Sequence, residues 1–409
     1  MTCFDRFKIG NFVSISNVLI ILLTGLVFLA KIKNNKKLSF IYFLLGSLLL
    51  LSCLSWINSE NFEAASRQQV TFLTGLAIAV VIPNICRSEK VFIGCIKWMF
   101  YSALLVSSIG LAQFIIWQTT GIILFNHTTS YFSSFQIAKI NSLYLSNGVF
   151  GYHLIFCAVI GLSIWRKLGN RNFIIRIAII MTMISLALTF SRGAWSAFLI
   201  YLILYALYYI RLKMKRIWLP VQIVFIISIL IVLLPAAKFI FNMNPMSTYN
   251  RLGLVNSSIN SIYNNPFLGS GLGVRIGQYF SDAQYYQITE VLSDLDVRGS
   301  KQLDIDFKGD DGRESHNTFL QVGITMGIPA LLVYLSILFL IVKYNRMSNM
   351  LRINSSFGIL TNAVFFGFVT TVFCSSFNSL FLVKQTWIVM GLAIAGAVNF
   401  DKQKHISMR

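Results

Sequence analysis

Charge is scarce in this chain, and acidic residues are scarcer than basic ones. Only 12% of the 409 residues are charged, and 14 Asp and Glu stand against 34 Lys and Arg. A soluble globular domain carries roughly 25% charged residues, so this composition excludes a water-soluble enzyme. Proline is also rare, at 6 residues, whereas 56% of the residues are hydrophobic and 35 are Phe. The chain is therefore predicted to be an integral membrane protein.

Cysteine and histidine give no metal or disulfide signature. The 6 cysteines stand singly, mostly within apolar runs, and no CxxC pair occurs. Both zinc sites and disulfide frameworks use recurrent cysteine spacings, so neither is predicted, and no cofactor is expected.

The sequence contains about eleven apolar runs whose lengths approach the roughly 20 residues needed to cross a bilayer. They lie at about Phe12–Ala30, Leu38–Ile57, Val70–Ile85, Gly94–Trp117, Val149–Trp165, Ile174–Phe190, Ala194–Ile210, Ile217–Phe241, Phe319–Val342, Phe357–Phe373 and Gln385–Phe400. The predicted fold is all-α: a polytopic integral membrane helical bundle of about 11–12 transmembrane helices with one large extracytoplasmic loop. We divide it into N-terminal helices with a short outer loop (1–148), central helices (149–241), the large outer loop (242–316), and C-terminal helices with a cytoplasmic tail (317–409).

The net charge of +20 raises the question of nucleic acid, but its distribution indicates topology instead. Residues 242–315 hold nine acidic and six basic residues, a net charge of −3, and the rest of the chain carries +23. Most of those bases form short clusters between apolar runs, around residues 31–37, 166–176, 211–216 and 343–352. Such clusters face the cytoplasm, which predicts an outer position for the long loop and the N-terminus and an inner position for the C-terminus.

Two outer segments are expected to be structured. Gln118–Gly148 is polar and aromatic, which suits either a lid at the lipid interface or a plain connector. In Thr248–Tyr263, apolar residues recur at helical spacing and predict an amphipathic helix on the membrane surface; they are Leu252, Val255, Ile259 and Ile262. Asn265-Pro266 and the glycines after it predict a turn that folds the loop back over the bundle.

Arginines at outer helix ends are the first candidate functional residues. Arg192 lies in a tight outer turn, Arg251 in the surface helix and Arg275 after the glycine turn. Several guanidinium groups at one membrane face would suit a diphosphate, because their paired donors match phosphate oxygens. The alternative is that each arginine reaches lipid headgroups. That alternative explains Arg192 less well, because a short turn holds it close to the bundle on the face that basic residues otherwise avoid.

His316 is the second candidate, at the junction between the acidic loop and the next span. Ser315 or Asn317 can cap that helix and leave the imidazole at the mouth of the bundle. An imidazole there could take a proton from a sugar hydroxyl near neutral pH. A solvent-exposed loop histidine without a function is the alternative, and His127 and His153 have weaker claims.

The acidic residues of the long loop have two further interpretations. Asp304–Gly312 resembles a calcium loop, but Lys308 occupies a ligand position and Ser315 replaces the closing glutamate. The Asp-x-Asp pairs are also typical of nucleotide-sugar sites, yet those sugars are cytoplasmic and this loop is predicted outside. A solvated acidic loop is the favoured interpretation.

Three local patterns occur in an order that resembles a known family. Ser191-Arg192-Gly193-Ala194 opens one span, Arg251-Leu252 leads through a helix to Asn265-Pro266-Phe-Leu-Gly269-Ser-Gly271, and His316-Asn317-Thr-Phe-Leu320 opens the next span. Over roughly Val149–Val342 the chain resembles the bacterial O-antigen ligase and polysaccharide polymerase family.

The resemblance implies a glycosyltransferase at the outer face of the bacterial inner membrane. Its donor would be a polyprenyl diphosphate-linked glycan. Its acceptor would be a sugar hydroxyl, on lipid A-core for a ligase or on a growing glycan for a polymerase. Membrane lipids surround such a protein, a chain-length regulator accompanies some polymerases, and neither a nucleotide sugar nor a metal is used. Carried onto this sequence, Arg192 and Arg251 would bind the diphosphate with Arg275 as a third member. Asn317 would contact substrate and His316 would activate the acceptor, with inversion at the anomeric carbon.

Two other functions are alternatives to the ligase. A flippase or transporter for lipid-linked sugars would place charged residues near the bilayer midplane, whereas here the charges cluster at the helix ends. A non-catalytic scaffold of the envelope would tolerate substitution of Arg192 and His316.

Overall fold

The computed structural model of the protein describes residues 8–9, 13–14, 20, 24–25, 35–59, 61–122, 128–132, 135–144, 146–165, 173–213, 245–274, 315–350 and 356–399. Most of these residues are helical. In chain order the helices are α1 (Lys36–Leu54), α2 (Phe62–Ile85), α3 (Glu89–Thr120), α4 (Asn147–Ile164), α5 (Phe173–Leu188), α6 (Arg192–Lys213), α7 (Pro245–Asn264), α8 (Thr318–Met350), α9 (Ser356–Ser375) and α10 (Lys384–Val398). A short 3-10 helix, Ser55–Asn58, follows α1.

The prediction of a polytopic helical membrane protein is confirmed. Within the described residues, six helices are long and apolar enough to cross a membrane, and three shorter apolar ones accompany them. Nine of the predicted spans coincide with helices α1–α6 and α8–α10. The predicted span at Ile217–Phe241 lies outside the described residues, as does most of the one at Phe12–Ala30, although Val13–Ser14 form a strand there.

Two short antiparallel hairpins qualify the all-helical expectation. The first pairs β1 (Lys8–Ile9) with β2 (Val13–Ser14), and the second pairs β3 (Thr128–Phe132) with β4 (Phe135–Lys139). The second hairpin lies inside Gln118–Gly148, for which we predicted a lid or a connector without assigning strands. Its strands are rich in Thr, Tyr and Phe, which favour extended backbone, but the segment is too short for a strong alternation signal.

Helix α10 lies at the centre of the bundle and is buried on all sides. It contains small residues, among them Gly391, Ala393 and Ala395, which let neighbouring helices approach closely. Near its start, the Trp387 ring packs against Phe72 of α2 and Phe381, with ring centroids 5.8 Å away in each case. Because α10 is apolar around its whole circumference, its burial follows from its sequence.

The bundle has two chemically distinct ends. We call one the basic end, since it carries Lys36, Lys37, Arg87, Lys90, Lys343 and Arg346. At this end the Lys37 ammonium lies 5.4 Å from the centre of the Tyr344 ring. The opposite end, which we call the loop end, carries the connections at 55–61, 121–146, 189–191, 265–274 and 376–383. The positive-inside rule assigns the basic end to the cytoplasm.

The turn after α7 packs onto α8 where that helix is kinked. Gly327 has non-helical dihedrals (φ 83°, ψ 176°), and the Ile328 amide donates to the Pro266 carbonyl at 2.7 Å. Gly269 has a φ of 68°, and a Cβ there would lie 2.5 Å from the Met326 nitrogen. Only glycine fits this backbone conformation and this contact. The turn at 265–274 therefore packs back onto α8, and the rest of the loop, which the glycine pattern predicts to fold over the bundle, lies outside the described residues.

Candidate functional site

The turn that presents Arg192 is short and heavily hydrogen-bonded. Ser191 caps α6, because its hydroxyl accepts from the Ala194 amide at 3.4 Å. The Asn147 side chain of α4 donates to the Thr189 carbonyl at 2.9 Å. Phe190 has a φ of 48°, in the left-handed region that β-carbons disfavour. These contacts fix Arg192 as the first residue of α6, half-buried at the loop end.

His316 is held in a similar way before α8. Its side chain is exposed and its backbone has a φ of 49°. The residues on both sides are anchored: the buried Ser315 amide donates to the Gln321 side chain at 3.0 Å, and the Asn317 side chain accepts from the Phe319 amide at 2.9 Å. A left-handed non-glycine residue costs on the order of 1–2 kcal/mol, so the surrounding contacts impose this conformation on His316.

Asn317 is the cap of α8, one of the two roles that the sequence suggested. Its Oδ1 also accepts from the Leu320 amide at 3.2 Å, and its Nδ2 donates to the Ser376 carbonyl at 3.1 Å. The carboxamide thus serves both the helix start and the α9–α10 connection. A contact between Asn317 and substrate stays a prediction.

A hydrogen-bonded bridge joins the start of α6 to the start of α8. Asn378, in the α9–α10 connection, donates from Nδ2 to the Tyr152 hydroxyl of α4. The Asn378 carbonyl accepts from the Thr318 hydroxyl at 2.8 Å. Gly193 lies against both side chains, since a Cβ there would be 2.6 Å from Tyr152 Oη and 3.2 Å from Asn378 Nδ2. Arg192 therefore immediately precedes Gly193, and His316 lies two residues before Thr318, at the two ends of this bridge.

Lys139 joins Arg192 at the loop end. It ends strand β4, and the amide of the following residue, Ile140, donates to the Leu188 carbonyl at 3.3 Å, just before the Arg192 turn. Burial lowers the pKa of the half-buried Lys139 ammonium below its ordinary value, and the positive charge of Arg192 lowers that pKa further. Two neighbouring cations repel one another, and an anion bound between them would relieve that repulsion.

A buried polar network fixes the exit of the hairpin that carries Lys139. Ser142 has a φ of 52°. Its amide donates to the Gln113 side chain of α3 at 2.8 Å, and its hydroxyl donates to the Val106 carbonyl at 2.7 Å. Ser142, Phe190 and His316 are the three non-glycine residues with positive φ in the described part of the chain. All three lie at the loop end, where stored strain is typical of functional sites.

The structure leaves two predicted arginines only partly described. Arg251 belongs to α7, one turn before Leu254, which forms a small apolar cluster with Leu320 and Ile324 of α8. The backbone of α7 therefore packs beside the first turns of α8, while the Arg251 side chain lies outside the described part. Arg275 lies outside the described residues altogether, as does most of the acidic loop.

Helix α7 exists as predicted, and three serines belong to the side that it buries. Ser257, Ser258 and Ser261 are fully buried, whereas Ile259 is 52% exposed and Tyr263 84% exposed. The apolar contact with α8 is made by Leu254 and Ile262, which cluster with Leu320 and Ile324, and Ser261 shares a hydrogen bond of 3.3 Å with Ser270 of the following turn. The exposed apolar residues lie on the side open to the surroundings, which suits lipid contact.

A cavity of about 210 Å3 lies beside the bridge. It is lined by residues of α3, α4, α9 and α10 and of the connections before α4 and α10, among them Tyr152 and His153. The His153 ring stacks on Tyr144 at 5.6 Å between centroids. His153 therefore faces the bundle interior.

Sequence reasoning missed three residues of this site, namely Lys139, Tyr152 and Asn378. Lys139 lies in a polar connector and Tyr152 in an apolar span, where neither has a distinctive spacing. Asn378 lies in the connection between α9 and α10. This connection forms turns at 376–383, and Asn317 and Thr318 bind its backbone. A polar Asn between two apolar spans was the one available signal.

The fold and these contacts define a polytopic helical membrane protein with a cationic, hydrogen-bonded site at one end of its bundle. Residues 177–335 match the family model described as O-antigen ligase. This match over the segment that carries the motifs confirms the resemblance seen in the sequence. This family supports a glycosyltransferase of the O-antigen ligase or polymerase type. No curated protein matches the chain.

The matched segment contains all the catalytic and binding residues predicted from the motifs. Arg192, Arg251, Arg275, His316 and Asn317 fall within residues 177–335. Lys139, Tyr152 and Asn378 lie outside it and are brought to Arg192 and His316 by the fold.

Proposed function

We propose that the protein is a membrane glycosyltransferase of the ligase type, which transfers a glycan from a polyprenyl diphosphate carrier to a sugar hydroxyl of lipid A-core. The reaction takes place at the outer face of the bacterial inner membrane, to which the positive-inside rule assigns the loop end. A polymerase that extends a growing glycan is the alternative within the same family.

The observation that carries the proposal is the bridge from α6 to α8. It brings the N-termini of two helices, one opened by Arg192 and one preceded by His316, to the same end of the bundle. Helix N-termini attract anions through their free amides and dipoles. Lys139 adds a second cation beside Arg192. A lipid-linked diphosphate suits this arrangement because its lipid anchor keeps the phosphates at the membrane surface.

In the proposed mechanism, the start of α6 binds the donor and the start of α8 activates the acceptor. Arg192, with Lys139, Arg251 and Arg275, binds the diphosphate and stabilises the negative charge that grows on it as the glycosidic bond breaks. His316 takes the proton from the acceptor hydroxyl, which attacks the anomeric carbon from the side opposite the diphosphate. The anomeric configuration is then inverted. The reaction as proposed needs no metal and no nucleotide sugar.

Transfer by the purified protein tests the function. The protein in lipid vesicles is given a polyprenyl diphosphate-linked glycan and an acceptor sugar, and the product is analysed for a new glycosidic bond. Bond formation supports the enzyme. Movement of the donor across the bilayer without a new bond would support a flippase, and neither event would support a scaffold.

The glycan phenotype of a deletion strain separates ligase from polymerase. Loss of a ligase leaves finished polymer on its lipid carrier, because only the last transfer is missing. Loss of a polymerase leaves single repeat units instead. We expect lipid-linked polymer to accumulate, and single repeat units would assign the polymerase function.

A further inference from the structure

The geometry points to a clamp: we propose that Tyr152 and Asn378 are positioning residues that hold the starts of α6 and α8 at a fixed separation. The inference rests on the proposed function, because it concerns the helix starts that present Arg192 to the donor and His316 to the acceptor.

Asn378 contacts three elements that are far apart in the chain. Its Nδ2 donates to Tyr152 of α4, its carbonyl accepts from Thr318 of α8, and its amide group packs against Gly193 of α6. One residue of the α9–α10 connection therefore sets the relative position of α4, α6 and α8 at the loop end.

The α8 side of the clamp is held by several hydrogen bonds. The Thr318 hydroxyl donates to the Asn378 carbonyl and accepts from the Leu380 amide, each at 2.8 Å. One residue earlier, Asn317 donates to the Ser376 carbonyl at 3.1 Å. A shift of the start of α8 relative to the connection would break these bonds together, so His316 moves only with the connection.

The α6 side of the clamp is held by direct contact. The chain has glycine at position 193, and a Cβ there would lie 2.6 Å from the Tyr152 hydroxyl, closer than β-carbons come to other heavy atoms. The backbone next to Arg192 therefore rests on the Tyr152–Asn378 pair without intervening side-chain atoms. Removing the Tyr152 hydroxyl would leave the start of α6 without this support.

The expected effect is on the chemical step rather than on donor binding. Misplacing a reacting group by about 1 Å can cost on the order of 100-fold in rate. Donor binding depends on the cations near the start of α6, which the clamp does not itself supply. Loss of the clamp should therefore lower kcat while the donor KM changes little.

The experiment compares Tyr152→Phe, Asn378→Leu and the double variant in the vesicle transfer assay, with rates expressed per mole of folded protein. We expect each single variant to lower kcat about tenfold or more and to change the donor KM less than about threefold. Because both side chains act through one hydrogen bond, the kcat of the double variant should be within about twofold of the kcat of the worse single variant.

Tyr201→Phe is the matched control. Tyr201 of α6 shares a hydrogen bond of 2.9 Å with Ser163 of α4, so this variant removes a hydroxyl between the same two helices, away from the loop end. Its kcat should stay within about twofold of wild type. An equal loss of kcat in Tyr201→Phe would overturn the clamp in favour of general destabilisation, and so would unchanged kcat in both single variants.

Asn378→Asp keeps the proposal testable if the other variants fold poorly. A carboxylate can accept a hydrogen bond from the Tyr152 hydroxyl, so we expect kcat nearer to wild type than in Asn378→Leu. The new negative charge near the Arg192 turn should raise the donor KM. A kcat as low as that of Asn378→Leu would contradict the positioning role.

Failure of the clamp and failure of the proposed function give different results. If Arg192→Gln and His316→Ala lose transfer while the Tyr152 and Asn378 variants keep wild-type kcat, only the clamp is wrong. If Arg192→Gln and His316→Ala also keep wild-type transfer, the proposed function itself is wrong.

Discussion

At the residue scale, the proposed chemistry depends on guanidinium and ammonium groups at one helix start. We expect Arg192→Gln to lower kcat/KM for transfer about 100-fold or more, because the growing charge on the diphosphate loses a paired donor. Arg192→Lys should recover only part of that loss, since an ammonium cannot bind two phosphate oxygens in parallel. The measurement is the initial rate of transfer in vesicles.

Arg67→Gln is the control for that prediction. Arg67 lies on α2 and pairs with Glu63 one turn away, with both side chains largely exposed. An exposed pair of this kind contributes about 0–1 kcal/mol to stability, so transfer should remain within about twofold of wild type. Equal losses in Arg67→Gln and Arg192→Gln would contradict a specific role for Arg192.

The lowered pKa of Lys139 predicts a pH dependence at the same scale. Lys139 is charged below its pKa and neutral above it, and burial together with Arg192 moves that pKa below the ordinary lysine value. Donor affinity should therefore fall as pH rises, and should begin to fall at a lower pH than an ordinary lysine would allow. The measurement is kcat/KM for the donor across the alkaline range, which reports groups of the free enzyme.

Lys139→Arg provides the comparison for the pH profile. A guanidinium stays charged throughout this range, so the alkaline decline due to Lys139 should disappear in the variant. An alkaline decline that is identical in wild type and Lys139→Arg would show that another group causes it.

As pH rises, the contribution of Lys139 to folding stability changes in the direction opposite to its contribution to donor affinity. A buried Lys with a lowered folded-state pKa takes up a proton more readily in the unfolded chain. The contribution of Lys139 to stability therefore improves as pH rises from the folded-state pKa towards the unfolded value. The predicted loss of donor affinity at alkaline pH is thus not a consequence of unfolding through this group.

At the element scale, the close contact at Gly193 predicts unequal effects of the same substitution. Gly193 and Gly148 both occupy the second position of a helix, α6 and α4 respectively. A Cβ at Gly193 would lie 2.6 Å from Tyr152 Oη, whereas a Cβ at Gly148 would have no neighbour closer than 3.8 Å. We expect Gly193→Ala to lower kcat about tenfold or more and Gly148→Ala to leave it within about twofold. Equal effects on transfer would argue against contact between α6 and the bridge.

The positions of most helices could be predicted from the sequence because the bilayer restricts which segments can span it. A spanning segment must satisfy its own backbone hydrogen bonds and present apolar side chains, so α1–α6 and α8–α10 are visible as long apolar runs. The burial of Ser257, Ser258 and Ser261 on α7 could not be predicted, because hydropathy alone gives no weight to the small size that lets a residue pack closely.

The site could be predicted only in the part that local motifs describe. Arg192 and His316 open or precede helices, so their positions follow from the order of spans. Tyr152 and Asn378 acquire their roles through contacts with residues 41 to 226 positions away, which no local spacing encodes. The role of Lys139 likewise depends on the fold, which brings the end of β4 to the end of α5.

At the scale of the whole molecule, the two ends of the bundle predict a topology that can be labelled. In a cysteine-free background, a cysteine at exposed Thr120 or Asn264 of the loop end should react with a membrane-impermeant thiol reagent in intact spheroplasts. Cysteines at exposed Arg87 or Arg346 of the basic end should react only after permeabilisation. The reverse pattern would place the basic end outside and would separate the site from the proposed donor.

The central claim is that Arg192 holds the donor and His316 activates the acceptor. The most direct measurement is a single-turnover transfer experiment with His316→Ala in vesicles, in which donor binding and product formation are followed separately. We predict that the variant binds the polyprenyl diphosphate donor with a Kd within about threefold of wild type. Its rate of product formation should fall by about 100-fold or more. Product formation at the wild-type rate would contradict the claim.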